Sequence, residues 1–167
     1  MNFSLPMLLT KRLPPKQLIA AVSLLISTSL WATDFDTILT EKEAPAGVVI
    51  EIVSDEYGLL SDLLPTIRQD IERLRQRFPD IPVAIVSHGT EQFDLTEKNS
   101  ETESRAHELT KQLVDIDKVD VHVCETHAGW YGVMPEDFPD YVDVVPAGPV
   151  QINDYESMGY ELIVLPD

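Results

Sequence analysis

Four side chains suited to nucleophilic, acid–base or metal chemistry fall at suggestive places in this sequence: His88, His122, Cys124 and His127. Cys124 is the chain's only cysteine, and these are three of its four histidines. One chemistry open to them is nucleophilic. A thiol at the start of a helix, with a histidinium beside it, is held as thiolate, the form that attacks sulfur or carbon. His88 and His127 are the candidate partners of Cys124 in that reading. Glu125 works against it, because a neighbouring carboxylate disfavours a second negative charge. The plain alternative is packing, since free cysteine is among the most buried residue types.

A second chemistry is metal binding. His122, Cys124 and His127 form a His-x-Cys-x-x-His run whose soft and borderline donors suit copper or zinc. The spacing lacks the paired halves of a structural zinc site, and His122 on a buried strand reads more simply as a satisfied core histidine, which makes metal binding the weaker of the two readings. Gly47, Gly58 and Gly89 assemble neither a dinucleotide fingerprint nor a phosphate loop, so no nucleotide cofactor is expected.

The elements that would hold these groups are legible in the hydrophobic pattern. Gly47 to Val53 and Pro82 to Ser87 are β-branched runs suited to strands covered on both faces. Val119 to Cys124, Val142 to Pro146 and Glu161 to Leu165 supply three more. Leu60, Leu63, Leu64, Ile67, Ile71, Leu74 and Phe78 recur at helical steps, with Pro65 expected to open that helix or sit in its first turn. Ser100-Glu-Thr-Glu103 has the spacing of a capping box ahead of a stripe at Ala106, Leu109, Leu113 and Ile116. A last helix is expected from Pro149 to Met158. Strands alternating with helices predict an α/β fold: three α/β/α layers around a five-stranded, mainly parallel sheet. His88 and Cys124 then both end strands at the carboxyl edge, where such sheets place their ligands. Trp130, Tyr131 and Met134, in the loop from Ala128 to Pro139, are expected to pack on their own domain or a neighbouring subunit. An apolar lid over the site is the alternative.

The amino-terminal residues carry Lys11, Arg12 and Lys16, then the apolar run Leu18 to Trp31, and close on Ala32. Basic, apolar and small in that order predicts a secretory signal peptide over residues 1–32 and a periplasmic protein. The run of about 14 residues falls short of the roughly 20 that span a bilayer. Residues 33–46 show no period and read as a mobile lead-in to one domain over 47–167. Cleavage would remove three of twelve Lys and Arg and none of 29 acids, moving the formal charge from −17 to −20. Such a surface repels nucleic acid and anionic membranes, leaving small molecules, metals or proteins as partners. One cysteine excludes an internal disulfide, so a packed core must supply the stability.

The chain from Val119 to Leu165 resembles the DsrE/DsrF-like family of sulfur-handling proteins. The matching features are a strand ending in cysteine (Val-His-Val-Cys124), the run Val144-Val-Pro-Ala-Gly148, and the closing Met158-Gly-Tyr160-Glu-Leu-Ile-Val. Val83-Ala-Ile-Val-Ser-His88-Gly89 is similar to the family's second strand, so the resemblance reaches most of residues 47–165. It implies a five-stranded parallel sheet in three layers, oligomers built from copies of that unit, and a cysteine that carries persulfide sulfur. Cys124 occupies that position, and the implied partners are sulfur donor and acceptor molecules or proteins. A leader peptide departs from the family, whose sulfur-relaying members are mainly cytoplasmic. An exported relative is therefore expected either to carry sulfur on Cys124 or to act as a non-catalytic binding module for copper, zinc or a small sulfur compound.

Overall fold

The structure is a computed structural model that describes residues 34–165. The predicted signal peptide, 1–32, lies outside the described residues. Five strands, β1 (Gly47–Ile52), β2 (Val83–Ser87), β3 (Asp120–Cys124), β4 (Asp143–Val145) and β5 (Tyr160–Val164), form one sheet in the order β4-β3-β2-β1-β5. All four pairings are parallel. The expected three-layer α/β/α architecture is what forms. The β-branched runs end up in the sheet interior because parallel strands are screened from water on both faces.

Alternation along the strands sorts their side chains into two cores. Val48, Ile50 and Ile52 of β1, with Val83 and Ile85 of β2 and Val121 and Val123 of β3, face the larger core. Helices α1 (Phe35–Leu39), α2 (Leu59–Arg77) and α3 (Ser104–Asp115) close that face with Phe35, Ile38, Leu60, Leu64, Ile67, Ile71, Leu74, Ala106 and Leu113. The opposite face presents Val49, Ala84 and Val86, covered by Ile152 and Tyr155 of α5 (Gly148–Ser157). A short helix, α4 (Glu125–Trp130), follows β3 directly.

Several expectations need correction. The lead-in contains α1, capped by Asp34 (its Oδ1 accepts the Thr37 N–H at 2.6 Å) and anchored by buried Phe35 and Ile38. The α2 helix begins at Leu59, so Pro65 is its seventh residue rather than part of its first turn. Asp94 explains the early start. Its carboxylate accepts the Gly58 N–H at 2.8 Å and the Leu60 N–H at 3.2 Å, so a residue 36 positions away caps the helix ahead of the proline. The capping box does not form, because α3 has Glu103 at its N-cap without a side-chain bond. Ser100 Oγ donates to the Glu97 carbonyl instead, at 2.7 Å. Ile116 lies beyond the buried stripe and is 67% exposed.

The polar stretch after β2, which shows no helical or strand period, folds as two 3-10 segments, Thr90–Leu95 and Glu97–Asn99. Every residue from Thr90 to Leu95 is buried, including Glu91, Gln92 and Asp94. Buried polar groups persist only when their bonding capacity is used, and here that capacity ties together the loops at the carboxyl edge.

Candidate functional site at the carboxyl edge of the sheet

Cys124 is both the last residue of β3 and the N-cap of α4. Its Sγ accepts the His127 backbone N–H at 3.4 Å. A helix that starts directly on a strand end has free N–H groups, and a thiol at that place satisfies one of them as a serine would. Cys124 is 4% exposed.

Gln92 locks this junction. Its Oε1 accepts the Cys124 backbone N–H at 2.8 Å, which leaves its amide nitrogen facing the His127 ring. That nitrogen can only donate, so His127 Nδ1, 2.7 Å away, is the acceptor and the ring proton sits on Nε2. The bond therefore selects one tautomer of the neutral His127 ring. His127 reaches the Cys124 sulfur through its backbone N–H.

Glu91, fully buried, performs a similar service one step earlier. Its carboxylate accepts the Ser54 N–H at 2.8 Å, the Ser87 hydroxyl at 2.7 Å and the Gly89 N–H at 3.0 Å, joining the ends of β1 and β2. Burial raises Asp94 above the usual carboxylate range, partly offset by the Gly58 and Leu60 N–H groups it accepts.

A cleft of about 450 Å³ opens between these loops, lined by Val53, Ser54, Asp55, Glu56, His88, Gly89 and His127. His88 Nε2 lies 2.7 Å from Glu51 Oε1, and its ring rests against Gly148 at the start of α5. The cleft thus brings together His88 and His127, two of the three residues expected at the site. Cys124 lies just behind His127 rather than on the cleft wall.

His122 does not join them. Its Nε2 pairs with the Tyr155 hydroxyl at 2.8 Å beneath α5, and its Nδ1 is buried with no hydrogen-bond partner, 3.9 Å from Asp143 Oδ2. Burial pushes His122 below its ordinary value, and pushes Tyr155 up to about 12. Among the described residues no three His, Cys, Asp or Glu side chains are arranged to hold a metal ion, so His122, Cys124 and His127 do not form the ligand set their spacing allowed. The physical reason is direction: His122 is committed to Tyr155, while His127 is committed to Gln92.

Within this chain Trp130, Tyr131 and Met134 are 76%, 59% and 51% exposed, so of the two expected packings the one onto their own domain does not bury them. None of the three lines the His88–His127 cleft. Gln92, Glu91 and Asp94 are the site residues that sequence reasoning missed. Their only signal was position, directly after His88-Gly89 at a strand's carboxyl end.

No protein-family model matches the chain, and no curated protein matches it. Among solved structures it is similar to a protein of unknown function, MTH1491 from Methanobacterium thermoautotrophicum. The two share 19% identity with a TM-score of 0.54, over 71% of this chain and 97% of the archaeal one. That likeness establishes the fold.

Proposed function

We propose that this protein is an exported, thiol-based sulfur carrier in which Cys124 accepts sulfane sulfur and passes it to another molecule. The observation that carries the reading is the setting of Cys124, whose Sγ ends a parallel strand and receives the His127 N–H at the start of α4. The resemblance of Val-His-Val-Cys124 to the sulfur-carrying strand of the DsrE/DsrF-like family supports it. In the transfer, Cys124 thiolate attacks the outer sulfur of a donor persulfide. The donor's S–S bond breaks, a new S–S bond forms on Cys124, and the donor thiolate leaves. With no second cysteine in the chain, the outer sulfur departs only to an external thiolate, which regenerates Cys124. Burial shelters the persulfide between the two steps.

The test is intact mass after exposure to polysulfide. The native protein should gain one or more sulfur atoms and lose them to a reductant, while Cys124→Ser should gain none. Serine keeps an N-cap acceptor, so the variant folds and its failure to load is chemical. A native protein left unmodified, under conditions that modify a free thiol peptide, refutes the carrier. Export is checked separately, by amino-terminal sequencing of the secreted chain for a start near Thr33.

A second reading is favoured by one observation: the cleft is walled by His88 and His127, but not by Cys124. In that reading the protein binds a small sulfur compound without turnover. Calorimetric binding of a small uncharged thioether that survives Cys124→Ser and is lost in His88→Ala selects it over the carrier.

A further inference from the structure

The carboxyl edge carries a second feature that the sulfur reading does not use. Five rings run across it in continuous contact. Tyr57 stacks on Phe93 with centroids 6.3 Å apart, and Phe93 meets His127 at 5.7 Å and Tyr131 at 5.2 Å. His127 meets Trp130 at 5.5 Å. Only Phe93 is buried, whereas Tyr57 and Trp130 are 67% and 76% exposed. The row runs from His127, which lines the first cleft, to Trp130, which lines a second of about 410 Å³ with Glu125 and Met134.

Large aromatic faces left in water along a continuous row of rings are costly for a monomer and typical of a binding surface. The rim shows what kind of partner fits. Asp55 and Glu56 border the first cleft and Glu125 the second, all three exposed, and neither cleft is lined by Lys or Arg. Acids beside open aromatic faces complement a cation, which gains from the carboxylates and from the ring quadrupoles together. A second copy of this chain is a poorer occupant of this face, because it would bring the same exposed acids, Asp55, Glu56 and Glu125, against one another.

We propose that the aromatic row of Tyr57, Trp130 and Tyr131 is a docking surface for a protein segment bearing arginine or lysine interleaved with apolar side chains. The segment lies across α4, its apolar groups on the rings and its cations on Asp55, Glu56 and Glu125. The proposal does not depend on Cys124 chemistry, and its test involves no sulfur, so either can fail alone.

The probe is a capped synthetic peptide alternating arginine and leucine, titrated into the isotopically labelled full chain, with a glutamate–leucine peptide as control. Amide shifts should centre on residues 53–57 and 125–134, together with the Trp130 indole. Affinity should fall with added salt, as expected for partly exposed charge pairs. Combining Tyr57→Ala with Trp130→Ala should weaken binding roughly tenfold or more. Both side chains are exposed, so the variant keeps its remaining spectrum. Shifts centred elsewhere or absent, equal binding of the glutamate–leucine peptide, or unchanged affinity in the double variant overturns the proposal. It is also overturned if sedimentation shows two copies joined through this face, or if tetramethylammonium alone reproduces the shifts at equal affinity, which would make it a small-cation site.

Discussion

Gln92 and His127, 35 residues apart, are joined by a 2.7 Å hydrogen bond in which the amide nitrogen donates to ring Nδ1, while the same side chain accepts the Cys124 N–H. One buried amide thereby fixes the ring tautomer of His127 and the backbone at the only thiol.

Replacing Gln92 with leucine removes both bonds and leaves a buried N–H and a ring nitrogen unpaired. Each such loss costs about 1–3 kcal/mol. The variant should therefore lose about 2–6 kcal/mol in urea denaturation, and the His127 ring nitrogens, observed by NMR, should change from the Nε2–H form to a mixture of tautomers. A ring spectrum identical to wild type would show that Gln92 does not select the tautomer.

Gly89 has no room for a side chain, since a methyl group there would overlap the Glu91 carboxylate and the Ser54 backbone. Its φ of −101° suits any residue, so the constraint is steric. Gly89→Ala should destabilise by about 1–3 kcal/mol, as overpacking does. Adding Glu91→Ala, which removes one clashing group, should make the two losses less than additive. Full additivity would place the strain elsewhere.

Asp94 carries a pH signature opposite to that of a salt-bridged acid. Burial raises its folded value above 3.8, so the folded state binds this proton more readily than the unfolded state does. Its contribution is full below 3.8 and is lost as pH rises through the raised folded value. Compared with Asp94→Asn, which lacks the titration, the wild type should gain relative stability as pH falls from neutral toward 4. A difference that stays flat across that window would contradict the burial argument.

His122 behaves in the other direction. Burial lowers its folded value below 6.5, so its contribution is full above 6.5 and is lost as pH falls through that value toward the folded one. Wild type should lose more stability than His122→Phe between about pH 7.5 and about pH 5.5, because only the wild type must charge this buried ring. Equal losses would mean that Asp143 and Asp120 offset the burial.

The strands, the helix stripes of α2 and α3 and the placing of His88 and Cys124 at strand ends were legible in the sequence. Each depends on periodicity within a few residues, and hydrophobic burial enforces that period locally. The start of α2, the burial of Thr90–Leu95 and the tautomer of His127 were not. They depend on Asp94 reaching Gly58 and on Gln92 reaching Cys124 and His127, contacts 32 to 36 residues apart. A buried acid or amide looks like any solvated polar residue until the fold supplies its partners. Tertiary structure likewise separated His122 from Cys124, although they share a strand face, because hydrogen-bond direction rather than spacing decides which groups a side chain serves.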